Sequence, residues 1–113
     1  MKGMKQMAFP RASDMLTLAT STREKWQEKV RLLEKNRIIE GIYDAAKYGN
    51  IFHEYWPNTN LAESDLQRDW LDELCFEFDE ELEERGYCTE ILYNSYSNHV
   101  ESILINWEQK TNN

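Results

Sequence analysis

The chain has 113 residues, 41% of them hydrophobic, and a formal net charge of −8 at pH 7. This length favours a single domain, and the mixture of apolar and charged residues excludes a low-complexity chain. The negative charge argues against direct binding of DNA or RNA, because phosphates are repelled by an acidic surface. No apolar run approaches the roughly 20 residues of a membrane span, and Pro10, Arg11 and Asp14 interrupt any secretory signal. We therefore expect a cytoplasmic protein without membrane contact.

The N-terminal third predicts an arm followed by a long helix. Residues 1–14 mix Met, Lys, Gly and Pro without a period, which predicts a flexible arm. Ser21 and Glu24 have the spacing of a capping box, so a helix is predicted to start there. Gly49 predicts the left-handed end of this helix. Gly41 in its middle indicates either a break or an overhang of the helix into a partner.

A strand and a second helix are predicted next. Residues 51–56 are rich in β-branched and aromatic side chains and end at a Pro/Asn cluster, which is typical of a strand. Asn60 and Glu63 predict the N-cap of the second helix, and Gly86 predicts its end. The apolar residues of this helix form one stripe, so the opposite side is expected to face solvent.

The C-terminal part predicts a hairpin. Residues 87–93 and 99–107 alternate in the manner of strands and are joined by the Asn/Ser-rich loop 94–98. The predicted fold is therefore α+β, with two helices packed on one face of a small, mainly antiparallel three-stranded sheet in the order helix-strand-helix-strand-strand. Residues 15–108 are expected to form this single domain, and residues 109–113 a disordered tail.

The core between the second helix and the hairpin is predicted from two patterns. Trp70 and Phe78 lie on the apolar stripe of the helix, and Trp107 continues the apolar face of the last strand, which includes Ile103 and Ile105. Aromatic side chains of this size contribute much of the buried area of a small domain. Large losses of stability are therefore expected when they are truncated.

The acidity belongs to the second helix. Between Leu61 and Arg85 eleven carboxylates stand against two arginines, a net charge of −9, so the rest of the chain is nearly neutral. A surface of one sign attracts basic protein partners. The predicted partner-binding residues are the carboxylates of this helix and one exposed loop tyrosine: Asp69, Asp72, Glu73, Glu77, Glu80, Glu84 and Tyr96.

The layout resembles small proteins of unknown function encoded by tailed bacteriophages. The resemblance covers about residues 15–107 and is carried by three motifs: Ala45-Ala46-Lys47-Tyr48-Gly49-Asn50 at a helix end, Glu84-Arg85-Gly86-Tyr87 after the second helix, and Leu104-Ile105-Asn106-Trp107 in the last strand. The longer, very acidic second helix and the hairpin loop depart from that pattern. The resemblance implies a phage origin and the cytoplasm of an infected bacterial host, and it brings no catalytic residues.

Several carboxylates and both histidines are candidates for catalysis or for metal binding. Carboxylate pairs at helical spacing, such as Asp69/Asp72 on the second helix and Glu40/Asp44 on the first, could hold Mg²⁺ as in all-α nucleotide pyrophosphohydrolases. That chemistry needs acids that converge from two facing helices. Neither histidine, His53 or His99, has a third ligand at metal-binding spacing. The sequence therefore predicts no catalytic residue, no metal site and no cofactor.

The predicted function is a phage-encoded accessory or counter-defence protein that binds a host or phage protein. In one version the acidic helix imitates the phosphate backbone and occupies a DNA-binding protein. Two alternatives remain: a Mg²⁺-dependent enzyme resembling nucleotide pyrophosphohydrolases, and an oligomer that sequesters a small nucleotide. A surplus of aromatic residues over what three strands can bury also favours self-association.

Overall fold

The computed structural model describes residues 8–108 of the chain. Its elements are helix α1 at Ala12–Lys47, strand β1 at Phe52–Tyr55, a 3-10 turn at Thr59–Leu61, helix α2 at Asp65–Glu84, strand β2 at Cys88–Tyr93 and strand β3 at Val100–Asn106. The predicted α+β class and the order helix-strand-helix-strand-strand are confirmed. Residues 1–7 of the predicted arm and the whole predicted tail, residues 109–113, lie outside the described residues.

Helix α1 begins at Ala12, so the predicted start at Ser21 was wrong. The carbonyl of Arg11 accepts hydrogen bonds from the backbone N–H groups of Asp14 and Met15, both at 3.1 Å. The segment after Arg11 has no Gly or Pro, and the carboxylate of Asp14 in the first turn complements the helix dipole. Ser21 therefore lies inside a continuing helix, although its spacing to the following Glu fits a cap.

Helix α1 is continuous through Gly41, so of the two alternatives expected there, a break or an overhang, the break is absent. The ring of His53 on β1 lies against this glycine, and a Cβ built at Gly41 would stand 2.2 Å from His53 Nε2. A glycine here gives the ring space at the helix surface. The helix ends as predicted, with Gly49 at φ 84°. Its first turns, residues 12–20, are exposed.

Helix α2 is capped by Ser64, so the predicted cap at Asn60 was wrong. The Oγ atom of Ser64 accepts from the backbone N–H of Gln67 at 3.1 Å, and Gln67 Oε1 accepts from the backbone N–H of Glu63 at 2.8 Å. The two contacts resemble a capping box, with the difference that Gln67 binds the backbone N–H of the residue before the cap and not that of Ser64 itself. Asn60 belongs instead to the preceding 3-10 turn, and Gly86 ends the helix at φ 95°, as predicted.

The sheet of the described residues has the strand order β1-β3-β2, and both pairs are antiparallel. Ile103 pairs with Tyr55 on one side and Ile91 on the other, and Ile105 occupies the next position on the same face. Ile103 and Ile105 are completely buried beneath the two helices. The predicted shared face of these isoleucines is therefore confirmed.

A bulge interrupts the pairing of β2 with β3. Leu92 pairs with Ser102 and Tyr93 pairs with Val100, so Glu101 is the extra residue. The bulge brings Val100 onto the helix-covered face, where it is 1% exposed. Consequently the start of β3, with His99 just before it, lies beside α2.

The three aromatic residues predicted for the core have different surroundings. Phe78 is buried and meets Tyr55 edge-on, with ring centroids 6.3 Å apart. Trp70 packs on Trp26 of α1 at 5.7 Å, so it joins the two helices. Trp107 is only partly buried, at the margin of the core. Phe78 is therefore the central core residue of the three.

A carboxylate lies in the core beside the turn that follows β1. Glu34 of α1 is fully buried, and its Oε1 accepts from Tyr55 Oη at 2.9 Å and from the backbone N–H of Asn58 at 2.6 Å. Arg37 donates to both carboxylate oxygens at 2.8 Å. Burial above all raises the pKa of Tyr55, so its hydroxyl stays protonated and donates. Glu34 thus fixes the turn to α1.

Candidate functional site

Seven of the ten acidic side chains of α2 form two rows. One row faces α1 and consists of Glu73, Glu77 and Glu81; we call it the paired row. The second row lies on the solvent side, and we call it the outer ridge. It consists of the carboxylates of Asp65, Asp69, Glu80 and Glu84 together with the ring of Phe76, and all five residues are exposed. Spacings of three and four residues, or sums of these, place each set along one side of the helix.

The paired row is neutralised by α1. Arg31 donates to Glu77 through Nε at 2.9 Å and Nη2 at 3.1 Å, and Lys35 Nζ lies 2.6 Å from Glu81 Oε1. Arg23 pairs with Glu73. The hydrogen bond to Glu77 raises the pKa of Arg31, as expected for an ion pair. Glu73 and Glu77, both predicted to bind a partner, are therefore engaged within the chain.

Asp72 connects α2 to the start of β3. Its Oδ1 accepts from Arg68 Nη1 at 2.6 Å and from the backbone N–H of Val100 at 3.0 Å. Its Oδ2 lies 2.7 Å from His99 Nδ1. Asp72 is one of the residues predicted to bind a partner, but its contacts hold α2 and the start of β3 together.

Three groups that can bind a metal ion meet at this junction. Donor atoms of Asp69, Asp72 and His99 all lie within 4.8 Å of one another, and Asp69 Oδ1 is 3.7 Å from His99 Nδ1. The sequence shows the two aspartates at helical spacing but gives no signal for His99. Its position depends on the hairpin register and on the bulge at Glu101.

The remaining predicted residues lie far apart on the surface. Tyr96 is 97% exposed at the tip of the hairpin loop, where its backbone N–H donates to Asn94 Oδ1 at 2.9 Å. The loop leads into His99, so it lies near the N-terminal half of α2. Glu84 is three turns beyond Asp72, about 18 Å along the helix. The structure therefore does not gather Tyr96 and Glu84 into one compact site.

An apolar groove, missed by the sequence analysis, lies between the C-terminal halves of the two helices. It has a volume of about 760 Å³, and Ile39, Ile42, Leu82, Tyr87 and Trp107 are among its lining residues. Tyr87 and Trp107 meet edge-on at 6.3 Å.

The charged residues of this groove do not favour a nucleotide. Lys35 and Arg85 are its cations, and Lys35 is already bound to Glu81. A nucleotide site requires several free donors for the phosphates. The groove therefore gives little support to nucleotide sequestration.

The arrangement of the two helices also bears on the nucleotide pyrophosphohydrolase alternative. That chemistry needs carboxylates that converge from facing helices. Across from the acids of α2, helix α1 instead presents Arg23, Arg31 and Lys35. Charges of opposite sign therefore converge between the helices.

Comparison of the chain with family models, curated proteins and solved structures returned no match. Within residues 8–108, no helix combines the length and apolar character that crossing a membrane requires. The proposed function therefore rests on the charge and the exposure of the surface residues.

Proposed function

We propose that this protein acts by binding another protein, and that the outer ridge of α2 contacts a basic surface of that partner. We further propose that it is a phage accessory or counter-defence protein of the infected bacterial cytoplasm, which rests on the resemblance of its sequence motifs alone. One observation carries the proposal. After α1 has neutralised the paired row, the outer ridge keeps exposed carboxylates on both sides of Phe76.

Charge and an apolar anchor occur together on this ridge. Glu80 and Glu84 repeat at four-residue spacing, about 6 Å along the helix, so a partner meets a row of negative charges. Phe76 is 45% exposed and lies between Asp69 and Glu80 on the ridge. Protein interfaces commonly combine such an aromatic anchor with a charged rim. A protein that normally binds DNA would also fit this row, because its carboxylates repeat the negative charge of the DNA phosphates.

The test is to isolate the partner from the infected host with the tagged full chain and then measure its affinity. Glu80→Lys with Glu84→Lys should abolish or strongly weaken binding, because both charges on the ridge are reversed. The matched control is Glu90→Lys with Glu101→Lys, which changes the net charge equally at exposed positions on the sheet. Equal loss in both double variants, or loss in neither, would exclude the ridge as the binding surface.

Phe76 separates anchoring from electrostatics. Phe76→Ala should lower affinity while leaving the dependence on salt unchanged, since it removes contact area and no charge. The double Lys variant should instead flatten the salt dependence. If Phe76→Ala binds as the parent does, charge alone accounts for recognition.

A second copy of the chain is another candidate partner, favoured by a row of exposed apolar residues on α1 that reaches the groove at Ile39. Leu18, Leu32 and Ile39 are exposed there, at spacings of fourteen and seven residues, with Lys25 at the intervening heptad position. A seven-residue repeat is typical of helices that pair along one face. Sedimentation of the parent and of Leu32→Glu tests this: a dimer that Leu32→Glu dissociates supports self-association, and a monomeric parent excludes it.

A further inference from the structure

We propose that Asp69, Asp72 and His99 form a binding site for a divalent transition-metal cation of the zinc class. Asp72 Oδ2 lies 2.7 Å and Asp69 Oδ1 lies 3.7 Å from His99 Nδ1. The donor atoms come from two elements, α2 and the residue before β3, and all lie within 4.8 Å of one another. The site would join α2 to the hairpin.

The distances lie on either side of those in a tetrahedral zinc site. Zinc binds imidazole nitrogen and carboxylate oxygen at about 2.0–2.2 Å, so its ligand atoms stand about 3.3 Å apart. The distance from His99 Nδ1 to Asp72 Oδ2 is shorter than this value, and the distance to Asp69 Oδ1 is longer. Shifts of about half an ångström would bring both to the tetrahedral value. Three protein ligands leave the fourth position open for water, as in zinc sites that are not closed by protein.

The carboxylate of Asp72 is held in the orientation that a ligand needs. Arg68 and the backbone N–H of Val100 both bind its Oδ1 atom, which leaves Oδ2 directed at His99. Outer hydrogen bonds of this kind orient the ligands of metal sites. The backbone carbonyl of His99 in turn accepts from Asn94 at 2.8 Å, so the histidine is anchored on the hairpin.

Asp69 supplies the adjustable ligand. Its side chain is 63% exposed and, among the described residues, makes a single polar contact, the 3.7 Å approach to His99. It can therefore move toward a cation without breaking a hydrogen bond of the fold. The mixed set of one imidazole and two carboxylates favours Zn²⁺ over Mg²⁺, because Mg²⁺ selects oxygen ligands in octahedral geometry.

The first experiment is calorimetric titration of the full chain with zinc chloride in a buffer free of chelators. We expect one zinc ion per chain, at least tenfold weaker binding for Asp69→Asn, and no change for Glu80→Gln. Glu80 is the matched control because it is an exposed carboxylate of the same helix outside the cluster. Absence of binding at millimolar zinc, equal affinity of Asp69→Asn and the parent, or tighter binding of Mg²⁺ than of Zn²⁺ would overturn the proposal.

The second experiment needs no substitution. The chain contains two histidines, and His53 is not a proposed ligand, because its ring lies against Gly41 of α1. One equivalent of zinc should shift the ring resonances of His99 and leave those of His53 in place. Shifts of equal size at both rings, or at His53 alone, would show that zinc does not select the cluster and would overturn the proposal.

Discussion

Arg31 on α1 and Glu77 on α2 form a two-point ion pair, with Arg31 Nε 2.9 Å from Oε2 and Nη2 3.1 Å from Oε1. The pairs Arg23–Glu73 and Lys35–Glu81 flank it along the same two helices. The two helices run parallel, because the partners advance together along both. Like charges that would repel one another on an isolated α2 are thereby offset by α1.

Charge reversal tests this contribution. Glu77→Arg should lower the free energy of unfolding by about 0.2–1 kcal/mol, the range for exposed pairs, since both side chains remain well exposed. Adding Arg31→Glu should restore part of that loss by recreating an ion pair of the opposite polarity. Urea denaturation of both single variants and the double variant measures the coupling. Strict additivity of the two single changes would show that the pair contributes nothing.

Removal of the buried carboxylate should be far more costly. Glu34→Ala leaves Tyr55 Oη and the Asn58 N–H without their acceptor, and we expect a loss of about 3–5 kcal/mol. Glu28→Ala on the same helix is the control, since Glu28 is exposed and should change stability by no more than about 0.5 kcal/mol. Chemical denaturation compares the two. Similar losses for both would contradict the role assigned to Glu34.

A helix-favouring substitution should fail at Gly41. Ala normally stabilises a helix interior by about 1 kcal/mol relative to Gly, but a Cβ here would stand 2.2 Å from His53 Nε2. We expect Gly41→Ala to be neutral or destabilising in the parent and stabilising by about 1 kcal/mol in a His53→Ala background. Thermal unfolding of the four proteins completes the cycle. Equal stabilisation in both backgrounds would show that the ring moves aside without cost.

His53 should also make stability depend on pH. Burial lowers its pKa in the folded protein, and the charge of Arg37 adds to the effect. The unfolded chain therefore binds the proton more readily, so this contribution is complete above about pH 6.5 and is lost as pH falls through the lower, folded pKa. Denaturation between pH 7.5 and 5.5 should give a shallower decline for His53→Gln than for the parent. Parallel declines would assign the effect to other groups.

Truncation of the aromatic residues should rank them by burial. Phe78→Ala should cost about 3–5 kcal/mol because it empties the centre of the core. Trp107→Ala should cost less, about 1–3 kcal/mol, since Trp107 is only partly buried. Tyr96→Ala should stay within about 0.5 kcal/mol. Guanidinium denaturation of the three variants checks the order, and a larger loss for Tyr96→Ala than for Phe78→Ala would contradict the described packing.

The parts of the fold that were predictable depend on short-range patterns. The apolar stripe of α2, the glycine ends at Gly49 and Gly86, and the alternation around Ile103 and Ile105 are set by residues a few positions apart. Ser21 misled the prediction because a capping-box spacing also occurs inside helices, where the hydrogen bonds of an earlier start take precedence.

The candidate site depends on long-range relationships that such patterns do not reveal. Glu34 and Glu28 look alike in the sequence, yet only Glu34 faces the turn after β1. His99 reaches Asp72 because of a bulge in the hairpin. A signal for the paired row did exist. Cations of the first helix recur at Arg31 and Lys35 with the same four-residue spacing as the acids that they meet on the second.

The strand order β1-β3-β2 has a consequence for the time at which the protein can fold during synthesis. The central strand is the last of the three to leave the ribosome, so neither β1 nor β2 has its hydrogen-bonding neighbour until translation has passed Asn106. Until then the apolar faces of both helices lack the isoleucines that cover them, and such exposed surface favours aggregation or capture by chaperones. Because β2 and β3 are neighbours in the chain whereas β1 meets β3 through the distant pair Tyr55 and Ile103, we expect the hairpin to form first and the docking of β1 to be the slower step.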